Sequence, residues 1–153
     1  MKKKYFMWLL MLLVLSSFSC THERTDISDV GFIAEIENSM KLVFPSSATW
    51  LGARAVYEGK DIEYLYCSIR MSNNDFLATF PESQFSSWQT DARLVHNVSG
   101  RNEKWFDPDS IKTFKSFQEK YPDSKHVLNV LAENNPSNPE EMILVYVVWW
   151  YDR

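Results

Sequence analysis

The chain has 153 residues, the usual length of one domain, and a formal net charge of −4 at pH 7. Three of its basic residues are the lysines at positions 2–4, and without them 13 Lys and Arg face 20 Asp and Glu, a net charge of about −7. Nucleic-acid binding and electrostatic adhesion to anionic lipid both need a basic surface, so this charge balance argues against both.

The first twenty residues, MKKKYFMWLLMLLVLSSFSC, have a basic start, an apolar stretch from Tyr5 to Leu15 and a small polar end. Eleven apolar residues at ~1.5 Å per residue would cover about half of a ~30 Å hydrocarbon core. They therefore predict a secretory signal rather than a membrane-spanning helix. A plain signal peptide would end in an Ala-x-Ala-like cleavage site, and this segment has none.

The end of this segment reads Ser17-Phe18-Ser19-Cys20 and resembles the lipobox of bacterial lipoproteins. In that family a diacylglyceryl thioether forms on the cysteine, and a peptidase cuts just before it. Ser19 matches the small residue expected before the cysteine, whereas Ser17 stands where Leu is usual. The resemblance covers residues 1–20 alone.

The lipobox resemblance implies that residues 1–19 are removed and that Cys20 carries acyl chains such as palmitate. It implies a lipoprotein of the bacterial cell envelope, with the domain in the periplasm or at the cell surface. Thr21 stands where a retention Asp would sit, which favours the outer membrane over the inner one. The alternative is an ordinary signal peptide, with Cys20 left free or paired with Cys67. We expect residues 20–26 to form a lipid-anchored tether before a single domain over 27–153.

Three stretches of the mature chain combine helically spaced apolar residues with potential capping residues. They are 27–40 with Asp26 or Ser28 as its cap, a short helix begun by Asn73 or Asn74 and ended by Pro81, and 109–121, begun by Asp107 or Asp109 and closed by Pro122.

Other stretches favour strands. The turn from Glu58 to Asp61 separates two runs rich in β-favouring residues and predicts a β-hairpin. A further strand is expected over 125–133. Alternation in the second hairpin run puts Cys67 on the core face, which favours an inert buried thiol over a catalytic nucleophile.

The last apolar run, Met142–Tyr151, is too short to span a membrane as a helix, and its Val, Ile, Tyr and Trp residues favour a strand. Because it is apolar on both faces, we expect a central strand covered on both sides, by helix 27–40 and helix 109–121. The fold prediction is α+β: an antiparallel β-sheet of about four or five strands packed with two or three helices.

Aromatic residues supply the candidate binding surface. Where the helices leave the sheet uncovered, we expect an aromatic surface that binds another protein. The candidate partner-binding residues are Tyr64, Tyr66, Trp105, Trp149, Trp150 and Tyr151. Trp105 begins the motif WFDPD, for which the alternative is a helix entry with an Asp cap and an early proline.

Catalytic and metal-binding patterns are missing from the sequence. His22, His96 and His126 lie far apart, and no phosphate loop, zinc spacing or nucleophile elbow is present. We therefore predict no catalytic residue, no metal and no cofactor. The first hypothesis is a non-enzymatic envelope protein that binds another protein, similar in style to small immunity lipoproteins. The alternatives are an accessory subunit of an envelope or secretion assembly, a small-ligand binder, and an envelope-polymer hydrolase, which lacks a catalytic constellation.

Overall fold

A computed structural model describes residues 21–85, 88–91, 95, 103–121, 125–134 and 141–152. Within these ranges the chain forms one antiparallel sheet in the order β1-β2-β3-β6-β5-β4, together with two α-helices. The strands are β1 (Thr21–Arg24), β2 (Thr49–Glu58), β3 (Asp61–Ser72), β4 (Phe114–Lys120), β5 (His126–Glu133) and β6 (Met142–Tyr151), and the helices are α1 (Val30–Met40) and α2 (Asn73–Thr79). The α+β prediction is confirmed, and the sheet has six strands instead of four or five. Cys20 and His96 lie outside the described residues.

Strand β6 lies between β3 and β5, as its apolar character on both faces predicted. Its odd-numbered residues from position 143 to position 149 are buried on one face, where Val147 pairs with Cys67 of β3 and Val130 of β5. Its even-numbered residues point to the other face, where Tyr146 pairs with Ser68 and Leu131. Each face therefore has its own hydrophobic core. We call the first the helix face and the second the loop face.

Helix α1 covers the helix face with Phe32, Ile36 and Met40, which are spaced four residues apart and fully buried. The helix begins at Val30, because the Asp29 carboxylate accepts hydrogen bonds from the backbone N–H groups of the first turn. The predicted caps, Asp26 and Ser28, are wrong. They bond to each other in a turn that precedes the helix.

The short second helix and the hairpin agree with their predictions in place and type. Helix α2 packs Phe76 into the helix-face core, and its cap is Ser72, which accepts from Asp75 N–H, instead of Asn73 or Asn74. The β2–β3 turn uses Gly59 at φ 68°, a left-handed conformation that glycine adopts without steric cost. We call this end of the sheet the hairpin end.

The predicted helix over 109–121 is wrong. A short 3₁₀ turn, Pro108–Ser110, leads into strand β4, which pairs with β5 from Phe114↔Glu133 to Lys120↔Val127. The three-residue spacing of Phe114 and Phe117 suits a helix, but in a strand it sends these rings to opposite faces, where each joins a different core. These residues form a strand instead of a helix because the backbone groups on the outer edge of β5 would otherwise lack hydrogen-bond partners.

The loop face is covered instead by residues 103–111, not by a helix. The backbone carbonyl of Trp105 accepts from Ser68 Oγ at 2.6 Å, and the N–H of Asp107 donates to the Tyr146 hydroxyl at 3.4 Å. The ring of Phe106 meets Tyr146 edge-on, with centroids 5.2 Å apart. These contacts fix an irregular segment over a sheet face by hydrogen bonds to the strands beneath it.

The start of the domain is strand β1, formed by residues predicted to be part of a tether. Thr21 lies opposite Glu58, and His22 stacks on Tyr57 with ring centroids 4.4 Å apart. Arg24 forms ion pairs with Asp29 and with Glu35 of α1. The sheet therefore begins at the first described residue.

Gly52 provides the space for the cover of the loop face. A Cβ at this position would lie 2.1 Å from Cδ2 of Trp105, a distance no real contact tolerates. We expect Gly52→Ala to displace the indole and lower the free energy of unfolding by about 1–3 kcal/mol. Chemical denaturation followed by circular dichroism measures the change.

A double-mutant cycle isolates the cause. In a Trp105→Ala background the clash is removed, so the added Gly52→Ala change should cost nothing or slightly stabilise the strand. An equal penalty in both backgrounds would show that the glycine is needed for its backbone and not for the indole.

Candidate functional site

Two of the predicted partner-binding residues lie in the cores. Trp149 is 4% exposed on the helix face, where it stacks on His126 with ring centroids 4.0 Å apart and planes 9° apart. Tyr66 is fully buried on the loop face. Their burial leaves neither side chain as an exposed anchor for a protein partner.

Trp105 is half-buried and belongs to the cover of the loop face. Its ring stacks on Tyr66 with centroids 5.5 Å apart and also contacts Phe106. The motif WFDPD therefore packs onto the sheet, with Pro108 opening the 3₁₀ turn, although Asp107 makes no side-chain cap. The indole is therefore only partly exposed to a partner.

The other three predicted residues form one surface at the hairpin end. Tyr64 and Trp150 are directly opposite each other on β3 and β6, and both are half-buried. Tyr151 follows and is 39% exposed. We define Tyr64, Trp150 and Tyr151 as the aromatic patch. Together with Val148 and Glu63 they line a shallow cavity of about 380 Å³.

The aromatic patch exists because residues 103–111 cover only part of the loop face. Their hydrogen bonds reach the row of Ser68 and Tyr146 and, through Glu103 and Arg54, the row of Tyr66. The row of Tyr64 and Trp150 lies on the same face as the row of Tyr66 and Val148 and two residues closer to the hairpin end. Both rings pack against the loop-face core and are only partly buried, so part of each ring faces outward.

A second concave region, which we call the hairpin-end groove, lies across the end of the helix face. Two adjoining cavities of about 420 and 330 Å³ share three residues. The shared residues are Asp61, Ile62 and His126; the first cavity adds Glu58, Glu63 and Tyr151, and the second adds Ser39, Lys41, Tyr121 and Trp149.

The electrostatics of the groove combine both signs of charge with aromatic rings. Burial lowers the pKa of His126 below its ordinary value, and the Asp61 carboxylate acts in the opposite direction. Lys41 lies 5.9 Å from the ring centre of Tyr121, whose hydroxyl donates to the carbonyl of Met40 and whose pKa burial raises to about 12. The groove therefore offers cationic, anionic and aromatic contacts within one site.

The described residues contain neither a cluster of metal-ligating side chains nor an exposed thiol. Among them no group of three or more His, Cys, Asp or Glu side chains could hold a metal ion. Cys67 is fully buried, and burial raises the pKa of its thiol, so the unreactive protonated form is favoured. In the part of the chain that the structure describes, no helix is long and apolar enough to cross a membrane.

The fold also bears on the alternative pairing of Cys20 with Cys67. Thr21 is opposite Glu58, which pairs with Asp61, and Cys67 lies six residues further along β3. Six residues of strand span about 20 Å, whereas cysteines in a disulfide have Cα atoms within ~7 Å. A residue bonded to Thr21 cannot bridge that distance, so this disulfide does not fit the fold.

No protein-family model, curated protein or solved structure matches the chain.

Sequence reasoning missed the hairpin-end groove, because its residues come from α1, β2, β3, β5 and β6 and from the positions that follow α1 and β4. Asp61 starts β3, His126 starts β5, and Lys41 and Tyr121 directly follow α1 and β4. No local spacing relates them. The one signal in the sequence is the hairpin turn itself. When the register of the neighbouring strands is known, the strand ends that lie beside this turn are known too.

His126 should make stability depend on pH. Because burial lowers its folded pKa below the ordinary 6.5, the unfolded state binds more protons between these two values. The contribution of neutral His126 to the free energy of unfolding is therefore fully present above pH 6.5. It is lost as the pH falls towards the pKa of the folded state. We expect His126→Phe, which keeps a ring on Trp149, to lose less free energy of unfolding than wild type between about pH 7.5 and 5.5. Equal losses in the two proteins would mean that His126 has the same pKa in both states.

Proposed function

We propose that this protein is a lipid-anchored protein of the bacterial envelope that binds another protein through the aromatic patch and performs no catalysis. The observation that carries the proposal is the half-exposed pair Tyr64 and Trp150 on the two central strands. In the manner of small immunity lipoproteins, the partner would be a protein whose activity is blocked or whose position is fixed by the complex.

The position of the aromatic patch supports binding energetically. Tyr and Trp dominate binding energy at protein interfaces because they bury a large area with few rotatable bonds. Trp150 and Tyr64 are held by hydrogen-bonded neighbours on β3, β5 and β6, so little order is gained when a partner arrives. A rigid aromatic pair beside a shallow cavity is the arrangement expected of an interface anchor.

Charge narrows the class of partner. The mature chain carries a net charge of about −7, and Glu63 lies at the rim of the aromatic patch. Opposite charges accelerate encounter and exclude like-charged partners. The proposed partner is therefore a protein with an apolar or aromatic contact point inside a basic rim.

Anchoring through Cys20 is the other half of the proposal, with the outer membrane favoured by Thr21. It rests on the lipobox resemblance. It is supported by the distance that separates Thr21 from Cys67, because that distance leaves Cys20 without a disulfide partner inside the chain. The body would then sit in the periplasm or at the cell surface.

Among the alternatives, a small-ligand binder is favoured by the hairpin-end groove, with its mixed charges and its two adjoining cavities. The accessory-subunit alternative uses the same aromatic patch as the main proposal and differs in the partner alone.

Thiol counting tests the anchor. The proposal predicts that mature protein from its host shows no reactive thiol when folded, because Cys67 is buried. After denaturation it should show one, since the sulfur of Cys20 is held in a thioether. Mass spectrometry should detect the acyl chains and lose them in Cys20→Ser. Two thiols per denatured chain would refute the lipid anchor.

Paired tryptophan variants test the binding surface. We expect Trp150→Ala to weaken partner capture by about 2 kcal/mol or more, which is about 30-fold in Kd, with the fold intact. Trp149→Ala should instead lower the free energy of unfolding by about 3–5 kcal/mol, because that indole is core. The partner is first obtained by pull-down of the lipoprotein from its own envelope, and Kd is then measured with purified components.

Leu77→Ala is the matched control, because Leu77 is also an exposed large apolar residue but lies on α2. It should leave Kd unchanged. A Trp150→Ala protein that folds and binds the partner as tightly as wild type would place the interface elsewhere.

A further inference from the structure

The point where the chain enters the sheet fixes the position of the anchor relative to the domain. Strand β1 starts at Thr21, the residue bonded to Cys20, and Thr21 pairs with Glu58. Consecutive Cα atoms are ~3.8 Å apart, so the chain that precedes Thr21 joins the domain at the hairpin end. If Cys20 carries lipid, no spacer separates the domain from the bilayer.

The groove is close to that point. Thr21, Glu58 and Asp61 are neighbours across three adjacent strands, and two strand spacings of ~4.8 Å amount to about 10 Å. Asp61 lines both cavities of the hairpin-end groove. A groove with both charged and aromatic lining residues is thus next to the point where the chain enters the sheet.

Lysines and tyrosines occur together at this end. Lys41 lies 5.9 Å from the ring centre of Tyr121, and Lys125 lies 5.7 Å from that of Tyr151. Lys60 occupies the exposed turn between β2 and β3. Tyr and Trp rings are favoured at the level of lipid headgroups, and lysines there extend their ammonium groups to the polar layer.

Acidic groups alternate with these lysines. Asp152 forms an ion pair with Lys120 at 2.7 Å, and Glu58, Asp61 and Glu63 line the groove. A surface with both signs of charge has little attraction for a purely anionic layer. It matches a headgroup that carries a phosphate and an ammonium, because the phosphate can approach a lysine while the ammonium approaches a carboxylate or an aromatic face.

We propose that the hairpin end is the membrane-facing pole of the domain and that its groove takes the headgroup of a zwitterionic phospholipid with a free ammonium, the phosphoethanolamine type. This inference rests on the proposed lipid anchor at Cys20. The headgroup layer is ~6 Å thick on each side of the bilayer, so about two residues of each strand enter it at ~3.4 Å per residue. The aromatic patch then lies at the membrane boundary and is reached from the side.

Depth measurement tests the orientation. Mature lipidated protein with an environment-sensitive fluorophore at Lys60→Cys is reconstituted into phosphatidylethanolamine–phosphatidylcholine vesicles that contain a headgroup-labelled quencher lipid. Lys112→Cys is the matched control, because it precedes β4 at the opposite end of the sheet. We expect quenching about threefold stronger or more at position 60, because a headgroup quencher acts only within the polar layer. Equal quenching at both positions would overturn the membrane-facing pole.

Charge variants test the groove. Lys41→Gln with Asp61→Asn should reduce the quenching at position 60 in these vesicles, whereas Lys112→Gln with Glu133→Gln removes the same charges at the other end and should not. Replacing phosphatidylethanolamine by phosphatidylcholine should mimic the groove variant. Unchanged quenching in both cases would refute headgroup recognition.

Two further readouts distinguish a failure of the anchor from a failure of the membrane-facing pole. Flotation of the vesicles and the thiol count report on the anchor itself, so protein that fails to float refutes the anchor, and the pole with it. Protein that floats with equal quenching at both ends refutes the pole alone. Concentration-dependent shielding of position 60 in detergent without lipid would assign this end to a second copy of the chain and overturn the proposal.

Discussion

The structure depends on covering strand β6 on both of its faces. A strand that is apolar on both faces needs strand partners on both edges and a cover above and below, since its backbone groups need hydrogen bonds and its side chains need to leave water. Strands β3 and β5 meet the first need, and the two helices and residues 103–111 meet the second. The other elements are arranged around this one strand.

The two covers differ in kind, and that difference places the candidate site. Helix α1 places a row of buried side chains over the helix face. Its last residue, Met40, is near the hairpin end, where its carbonyl accepts a hydrogen bond from the Tyr121 hydroxyl. The cover of the loop face is an irregular segment, which accepts hydrogen bonds from Ser68 and Arg54 and donates one to the Tyr146 hydroxyl. An irregular cover conforms to one part of a sheet and ends where its contacts end, which leaves the central pair of the aromatic patch half-exposed.

Much of the fold could be predicted from local patterns, and the errors occur where distant parts of the chain decide. The hairpin, β5, β6 and α1 follow from alternation, turn residues and helical spacing. Strand β4 could not be recognised because Phe114 and Phe117 suit a helix until β5 offers an unpaired edge, and the four polar residues of β1 are identified only by their pairing with β2. In the candidate site, strand alternation places Trp149 and Trp150 on opposite faces of the sheet. It does not tell which of the two faces is completely covered. Tyr66 is core because an indole thirty-nine residues away in sequence stacks upon it.

The short path from Cys20 to the sheet also bears on how the proposed partner would be met. A flexible tether would let the aromatic patch sample all directions above the bilayer, with an effective concentration that falls as the tether lengthens. If Cys20 carries the proposed lipid, the domain begins at the anchor, and the row of Tyr64 and Trp150 would be held near the membrane in one orientation. Recognition would then favour partners that are themselves at or in the membrane, because their contact surface lies at the same height. The lipid and the aromatic patch would act as two linked binding contacts, one with the membrane and one with the partner. The membrane would then supply part of the orientation that the protein–protein contact would otherwise have to provide.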